Sequence, residues 1–160
     1  MKLLFWNLNR NSIEEYVVDL IKENSIDIAV FTEYKSTDFS YIIENLNEEY
    51  ERAFEVREDA KITLCHRKKY KVRVEEEKTN YTIYSIGTST KKFIISGVHL
   101  PAKPWADEGS RNVITRKILT KIKDLESELN HDNTIVIGDF NANPFDEELI
   151  QKDAFNAVLF

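Results

Sequence analysis

Four short apolar runs constrain the fold of this 160-residue chain more than any other feature. They read LLFW, IDIAVFT, FIISGV and TIVIG, and each is bounded by polar residues or glycine. Such runs are short enough for strands that are covered on both faces, as in a sheet packed between helices. Helical patterns lie between the runs, so the sequence predicts a single α/β domain over residues 1–160 with mixed strands.

Apolar residues recur at helical spacing in three places along the chain. Ser12 is predicted to cap the first helix, with Glu15 three residues later as its capping-box partner. The three predicted apolar stripes are Ile13, Tyr16, Val17, Leu20 and Ile21; Phe39, Ile42, Ile43 and Leu46; and Ile114, Ile118, Leu119, Ile122, Leu125 and Leu129.

Between Tyr50 and Val98 the pattern changes from helical spacing to alternation. The segments YERAFEV, KITLCH, YKVRVEE, YTIYSI and KFIISGV are predicted as strands, and several of them alternate polar with apolar residues. Such alternation is typical of an antiparallel sheet with one wetter face.

Charge and cysteine content limit the classes of partner and location. The net charge of −6 disfavours a broad electrostatic surface for nucleic acid, although a local basic groove and cleavage of a polyanion remain compatible with it. The single cysteine, Cys65, cannot form an intramolecular disulfide and is predicted to be a small buried residue, which favours a cytoplasmic location. The run LLFW is too short for a signal peptide, and no run approaches membrane-spanning length, so no membrane insertion is predicted.

Polar residues follow the four apolar runs at the points where strands are predicted to end. Asn7 follows LLFW, Glu33 follows IAVFT, His99 follows FIISGV, and Asp139 and Asn141 follow TIVIG. Ligands of sheet-based α/β proteins bind outside the ends of strands, so these residues are predicted to converge on one cleft.

The side chains at these positions suit phosphate chemistry with a hard cation. Carboxylates of Glu33 and Asp139, with a carboxamide oxygen from Asn7 or Asn141, match the oxygen ligands of Mg²⁺ or Mn²⁺. A carboxylate can also take a proton from water, and His99 can donate a hydrogen bond to a phosphoryl oxygen. Each residue has an ordinary alternative, such as a solvated loop acid, a satisfied strand-end histidine or a turn asparagine. Only the joint pattern favours a site.

The order of FWNLNR, AVFTEY, SGVHLP and IGDFNANP resembles the endonuclease/exonuclease/phosphatase superfamily of DNase I-like proteins. This superfamily includes nucleases, abasic-site endonucleases, sphingomyelinases, deadenylases and inositol-polyphosphate phosphatases. The resemblance runs from Leu3 to about Asp146. It implies a sandwich of two mixed β-sheets with helices on both outer faces.

The resemblance also implies roles for the strand-end residues. Glu33 would be the principal metal ligand, with Asn7 in the same metal and phosphate pocket. His99 would contact the scissile phosphate, Asp139 would orient or deprotonate the attacking water, and Asn141 would hold Asp139 or the phosphate. Near these motifs, Arg111 and Asn143 are predicted to bind the substrate, with a solvated position as the alternative.

One departure from the family pattern lies at the end of the sequence. Family members normally carry a further strand-end acid and an Asp-His pair near the C-terminus, whereas this sequence ends in DAFNAVLF with neither. We therefore expect a C-terminally incomplete domain that lacks its final strands. The sheet surface left uncovered would then favour a homodimer, a partner protein or aggregation.

Two functions of different classes remain open from the sequence. The first is a Mg²⁺-dependent phosphoesterase, placed as a nuclease-like phosphodiesterase acting on nucleic acid because nucleases are frequent in the family. The second is a non-catalytic binding or assembly module of the same fold. The sequence does not choose between DNA, RNA, a phospholipid headgroup and a phosphoinositol as substrate.

Overall fold

The computed structural model describes residues 1–53, 61–103, 108–151 and 155. In these residues the strands are β1 (Leu3–Asn7), β2 (Ile28–Thr32), β3 (Tyr50–Arg52), β4 (Ile62–Arg67), β5 (Lys71–Lys78), β6 (Tyr81–Gly87), β7 (Lys92–His99) and β8 (Thr134–Asp139). The helices are α1 (Glu14–Glu23), α2 (Ser36–Asn45), α3 (Glu108–Leu129) and α4 (Glu147–Ile150).

The strands form two four-stranded mixed sheets. The first sheet has the order β1-β2-β4-β3 and the second has the order β5-β6-β7-β8. In the first, β1 and β2 are parallel; in the second, β7 and β8 are parallel. The remaining pairs are antiparallel. The predicted sandwich of two mixed sheets is confirmed.

The five strand segments predicted in the middle of the chain do not form one antiparallel sheet. The β3 and β4 strands join the first sheet, whereas β5, β6 and β7 join the second. The short turn between Arg67 and Lys71 carries the chain from one sheet to the other. Of the predicted YERAFEV strand, Tyr50–Arg52 is observed, and its last three residues lie outside the described part of the chain.

The core consists of one apolar layer between the sheets and one beneath the helices on each outer face. Side chains of both sheets meet in the middle layer, and Gly97 allows this close approach because a Cβ there would lie 2.7 Å from Ile62 Cγ2. Buried residues of the middle layer include Val30, Ile62, Leu64, Tyr84, Ile86 and Ile95. Under α1 and α2 they include Val17, Ile21, Phe31, Phe39 and Ile42, and under α3 they include Ile83, Ile94, Ile118, Ile122 and Leu125.

The predicted capping box at the start of α1 is wrong. The helix begins at Glu14, the preceding residue is Ile13, and no side chain caps it. The Ser12 hydroxyl instead accepts a hydrogen bond from Lys35 Nζ at 3.0 Å. Tyr16, predicted on the apolar stripe, is 71% exposed.

Two smaller predictions concern the cysteine and membrane-spanning segments. Cys65 is buried with a free thiol, as predicted, and this burial raises its pKa to about 12. Among the described residues, no helix combines the length and the apolar character required to cross a lipid bilayer.

Candidate active site

The polar strand-end residues lie at the same end of the sandwich. Asn7 is in register with Thr32 on the parallel β1–β2 pair, so Glu33 begins the loop next to Asn7. In the other sheet, His99 is in register with Asp139 on the parallel β7–β8 pair. Because β1 and β8 also contact each other across the sandwich, the two pairs meet at one site.

Asn7 connects the carboxylates of the two sheets. Its Nδ2 donates hydrogen bonds to Glu33 Oε1 at 3.0 Å and to Asp139 Oδ2 at 2.8 Å. Its Oδ1 accepts a hydrogen bond from the Asn9 N–H at 2.8 Å, which fixes the orientation of the amide. Asn7 therefore holds two acids together that would otherwise repel each other.

His99 completes the cluster from β7. Its Nε2 lies 3.4 Å from Glu33 Oε1, and Glu33, His99 and Asp139 offer ligand atoms that are all within 4.8 Å of one another. The side chains of His99 and Glu33 are 16% and 30% exposed, so the cluster is open to solvent on one side. Asn80 holds the His99 backbone through a bond from His99 N to Asn80 O at 2.8 Å and a return bond from Asn80 Nδ2 to His99 O at 3.1 Å.

The loop after β8 fixes the second carboxylate. The Asn141 N–H donates to Asp139 Oδ1 at 3.0 Å, while Asn141 Nδ2 donates to the Leu100 carbonyl at 2.9 Å. Leu100 N donates in turn to Asp139 O at 3.0 Å. Both oxygens of Asp139 therefore have a donor, one from Asn141 and one from Asn7.

The loops of the site contain residues in the left-handed backbone region. Glu33 has φ 51°, Asn141 has φ 46°, and Asn9 and Arg10 have φ 47° and 55°. The Arg10 N–H donates to the Glu33 carbonyl at 2.8 Å, which ties the first two loops together. A non-glycine residue in this region costs about 1–3 kcal/mol and is found most often at functional sites.

The donor set fits a hard divalent cation. Glu33 and Asp139 each offer a carboxylate oxygen in a partly exposed cluster, and Mg²⁺ is typically held by one or two carboxylates together with water. The carboxamide oxygen of Asn7 is engaged by Asn9, so Asn7 presents N–H donors to the acids. An amide oxygen can accept a second contact, so the predicted role of Asn7 Oδ1 as an oxygen ligand stays a prediction.

Arg111 lies in the interior and not in the cleft. It is completely buried and is paired with Glu148, which is 1% exposed. Its Nε donates to Glu148 Oε1 at 2.7 Å, its Nη2 donates to the Phe140 carbonyl at 3.0 Å, and its Nη1 donates to the Pro101 carbonyl. This placement does not support the predicted substrate contact, because no part of the guanidinium reaches solvent. Glu148 carries no signal in the sequence, because it lies in the acidic stretch DEE and resembles an ordinary solvated acid.

Asn143 lies in the exposed loop between β8 and α4. Its N–H donates to Asp146 Oδ2 at 2.6 Å, and Lys103 Nζ lies 2.8 Å from Asp146 Oδ1. The hydrogen bond from Lys103, together with the one from the Asn143 N–H, lowers the pKa of Asp146. The loop is therefore fastened beside the cluster, and substrate contact by the Asn143 side chain stays a prediction.

Neither a protein-family model nor a curated protein matches the sequence, whereas solved structures match the fold. Humanized D. rerio TDP2 with 14 mutations superimposes with a TM-score of 0.68 at 18% identity, covering 92% of this chain and 65% of the other. A second D. rerio TDP2 structure, complexed with a single strand DNA product, gives 0.65 at 18% identity and covers 94% and 64%.

Two further matches come from other proteins. The human Nocturnin catalytic domain with bound sulfate anion gives a TM-score of 0.68 at 19% identity, covering 92% of this chain and 68% of the other. An endonuclease/exonuclease/phosphatase from Bacteroides vulgatus gives 0.66 at 17% identity and covers 93% and 70%. The chain thus spans about two thirds of the length of these structures. At this identity the matches show the fold, which is that of the DNase I-like endonuclease/exonuclease/phosphatase proteins.

Proposed function

We propose that this DNase I-like chain is a divalent-metal-dependent phosphoesterase, specifically a nuclease-like phosphodiesterase acting on nucleic acid. One observation carries the proposal: Asn7, Glu33, His99 and Asp139 lie at the ends of four strands of two sheets and meet in one partly exposed cluster. The fold brings these strand ends together, and the four positions there are occupied by two acids, an amide and an imidazole. A pair of acids bridged by an amide and flanked by an imidazole is suited to phosphate hydrolysis.

Glu33 would be the principal ligand of the cation, with Asp139 close enough to add negative charge, and Mg²⁺ or Mn²⁺ is the proposed ion. When bound, such a cation supplies positive charge that neutralises a phosphate oxygen and lowers the pKa of water. Asn7 keeps the two acids in place through its two N–H donors.

The remaining residues would handle the proton and the developing charge. Asp139 receives hydrogen bonds on both oxygens, so its orientation toward the attacking water is fixed, and it accepts the proton of that water. The water oxygen forms a bond to phosphorus as the bond to the leaving oxygen breaks. His99 Nε2 donates a hydrogen bond to a phosphoryl oxygen as negative charge increases there. Asn141 keeps Asp139 aligned through its backbone N–H.

The solved neighbours support a phosphate-bearing substrate. One TDP2 structure is complexed with a single strand DNA product, and the Nocturnin structure holds a sulfate anion, which has the charge and shape of a phosphate group. By analogy with these neighbours, we propose nucleic acid as the substrate of this chain. The net charge of −6 indicates that binding would depend on local contacts at the pocket and not on a broad basic surface.

A second candidate function is a binding or assembly module, which one observation favours. β1 and β8 are edge strands in their sheets, and all of their residues are only half-buried. Open strand edges pair readily with another strand. Under this alternative a second copy or a partner protein covers the β1 and β8 edges, and analytical ultracentrifugation would show a dimer at micromolar concentration.

The experiment that tests the proposal compares three matched substitutions on a panel of DNA, RNA and small phosphodiesters. Glu33→Gln and Asp139→Asn each remove one charge from the pocket, whereas Glu48→Gln removes one from an exposed position between α2 and β3. We expect cleavage by the wild type in Mg²⁺ or Mn²⁺ and none in EDTA. Both pocket variants should lose at least about 100-fold of this activity, as expected for loss of a general base or metal ligand.

The control variant Glu48→Gln should cleave at the wild-type rate. Equal loss in all three variants, or equal activity in all three, would contradict the assignment of the pocket. Wild-type protein that cleaves no substrate but forms a stable dimer would favour the assembly module.

A further inference from the structure

Arg111 and Glu148 form a buried ion pair next to the site. Their side chains are 0% and 1% exposed, and Arg111 Nη2 lies 2.6 Å from Glu148 Oε1. Removing two charges from water is unfavourable, and a pair of apolar side chains often packs equally well at such a position. Stability alone therefore gives a weak reason for the pair, and its other contacts are more informative.

The guanidinium of Arg111 contacts the two loops that carry the proposed catalytic groups. Pro101, whose carbonyl accepts from Nη1, comes two residues after His99. Phe140, whose carbonyl accepts from Nη2 at 3.0 Å, lies between Asp139 and Asn141. One planar group thus joins the loop after β7 to the loop after β8, in addition to the bonds from Leu100 N to Asp139 O and from Asn141 Nδ2 to the Leu100 carbonyl.

Glu148 also holds the guanidinium in place. It accepts from Nε at 2.7 Å, so Arg111 has no freedom to rotate away from the two carbonyls. A lysine could not reproduce this arrangement, because its single ammonium lacks the planar set of donors that addresses three acceptors in fixed directions.

We infer that Arg111 is a positioning residue of the proposed phosphodiesterase, which sets the placement of His99 relative to Asp139, and that Glu148 orients Arg111 for this role. The inference rests on the proposed function for its effect on rate, and on the geometry alone for its effect on the loops. Arg111 touches neither the pocket nor a substrate, so it acts only through the two backbone carbonyls.

The test uses the full chain with Arg111→Lys, Glu148→Gln and a stability control, Leu125→Ala. Leu125 is 1% exposed and lies in the same helix as Arg111, α3, about 21 Å further along the helix axis. Its truncation weakens the packing of α3 far along the helix from the two carbonyls that Arg111 binds. Arg111→Lys is expected to lower kcat about 100-fold with KM changed less than about threefold, because a displacement near 1 Å suffices for such a loss. Glu148→Gln should lower kcat about tenfold, since the orienting charge is lost but the acceptor oxygen remains.

A second readout does not depend on activity. The amide resonances of Leu100 and Asn141 report the bonds that these N–H groups donate to Asp139. They should shift in Arg111→Lys and Glu148→Gln and stay in place in Leu125→Ala. If Arg111→Lys does not fold, Glu148→Gln carries the test.

The inference is overturned if the two variants at the ion pair keep kcat and both amide resonances, or if Leu125→Ala loses as much kcat and shifts the same resonances. If the wild type cleaves no substrate, the proposed function fails, and the amide resonances alone decide the role of Arg111.

Discussion

Glu33→Gln is expected to stabilise the metal-free protein while removing its stabilisation by Mg²⁺. Glu33 and Asp139 present oxygens within 4.8 Å of one another, so without a cation they form a like-charge pair. Gln keeps an oxygen that can accept the hydrogen bond now donated by Asn7 to Glu33 Oε1. The substitution therefore removes repulsion and leaves that bond in place.

The size of the effect follows from the separation and the exposure. Two unit charges at about 4.8 Å repel by about 0.9 kcal/mol in bulk water and about 3.5 kcal/mol at an effective dielectric constant of about 20. The Glu33 side chain is 30% exposed, so solvent screens the pair and the repulsion lies near the lower of these two values. The contact between Glu33 and His99 at 3.4 Å is weakened by the substitution, which reduces the net stabilisation. We expect a net stabilisation of about 1 kcal/mol, which raises Tm by about 2–4 °C in a domain of this size.

Thermal melts in EDTA and across a Mg²⁺ titration measure both effects. At a Mg²⁺ concentration of about 100 times Kd, the wild type should gain about 2.7 kcal/mol, or about 5–10 °C in Tm. Glu33→Gln should gain little, so its Tm lies above the wild-type value in EDTA and below it in saturating Mg²⁺. Glu48→Gln controls for the change in net charge and should follow the wild type in both conditions.

Two results would refute this reasoning. A lower Tm for Glu33→Gln than for the wild type in EDTA would show that the Glu33 carboxylate stabilises the metal-free site. An unchanged Tm gain in Mg²⁺ would remove Glu33 from the metal site.

Three further predictions test other parts of the structure by urea denaturation. Asn7→Ala removes the donor shared by Glu33 and Asp139 and should lower the free energy of unfolding in EDTA by about 1–2 kcal/mol. The difference from the wild type should be smaller in saturating Mg²⁺. An equal loss in both conditions would contradict the bridging role of Asn7. Burial lowers the pKa of His66, so the unfolded chain binds a proton that the folded chain does not. Wild-type stability should therefore fall as pH decreases below about 6.5, and His66→Gln should reduce this slope. Gly138→Ala would place a Cβ 1.9 Å from the Val98 carbonyl oxygen. This clash should destabilise the β7–β8 pair by about 3 kcal/mol or more. Wild-type stability for this variant would show that the two strands separate easily.

Much of the site could be predicted because parallel strands determine where their ends lie. Once LLFW and IDIAVFT pair in parallel, Asn7 and Glu33 must lie at the same end, and the β7–β8 pair does the same for His99 and Asp139. The local sequence contains this information as an apolar run followed by a polar residue. Convergence of the two pairs additionally required the two sheets to stack, which the family resemblance implied.

The distribution of the middle strands between the sheets could not be predicted from alternation. A period of two reports that one face of a strand is buried and the other is wetter, but not which sheet the strand joins. The observed burial also departs from the pattern, since the first five residues of β4 are buried whereas β5 has no fully buried residue. The sheet that a strand joins and the burial of its residues both depend on contacts with residues far away in the sequence.

The role of Arg111 was inaccessible to sequence reasoning for a related reason. Helical periodicity identifies apolar stripes, and an arginine near the start of a helix is ordinarily solvated. Its burial depends on Glu148, which lies 37 positions later, and on two backbone carbonyls that carry no sequence signal. Only the folded arrangement distinguishes this arginine from a surface residue.

The backbone conformation of Glu33 gives independent support for a function of its carboxylate. Among the described residues, seven non-glycine positions have positive φ, and four of them are asparagine, which tolerates this region well. Glutamate lacks this tolerance, and at φ 51° it is strained by about 1–3 kcal/mol. Glycine at this position would adopt the same backbone without strain and keep the bond from the Arg10 N–H to its carbonyl. What glycine would lose is the carboxylate that meets Asn7 and His99, so the strained conformation is explained by the side chain that it places in the pocket.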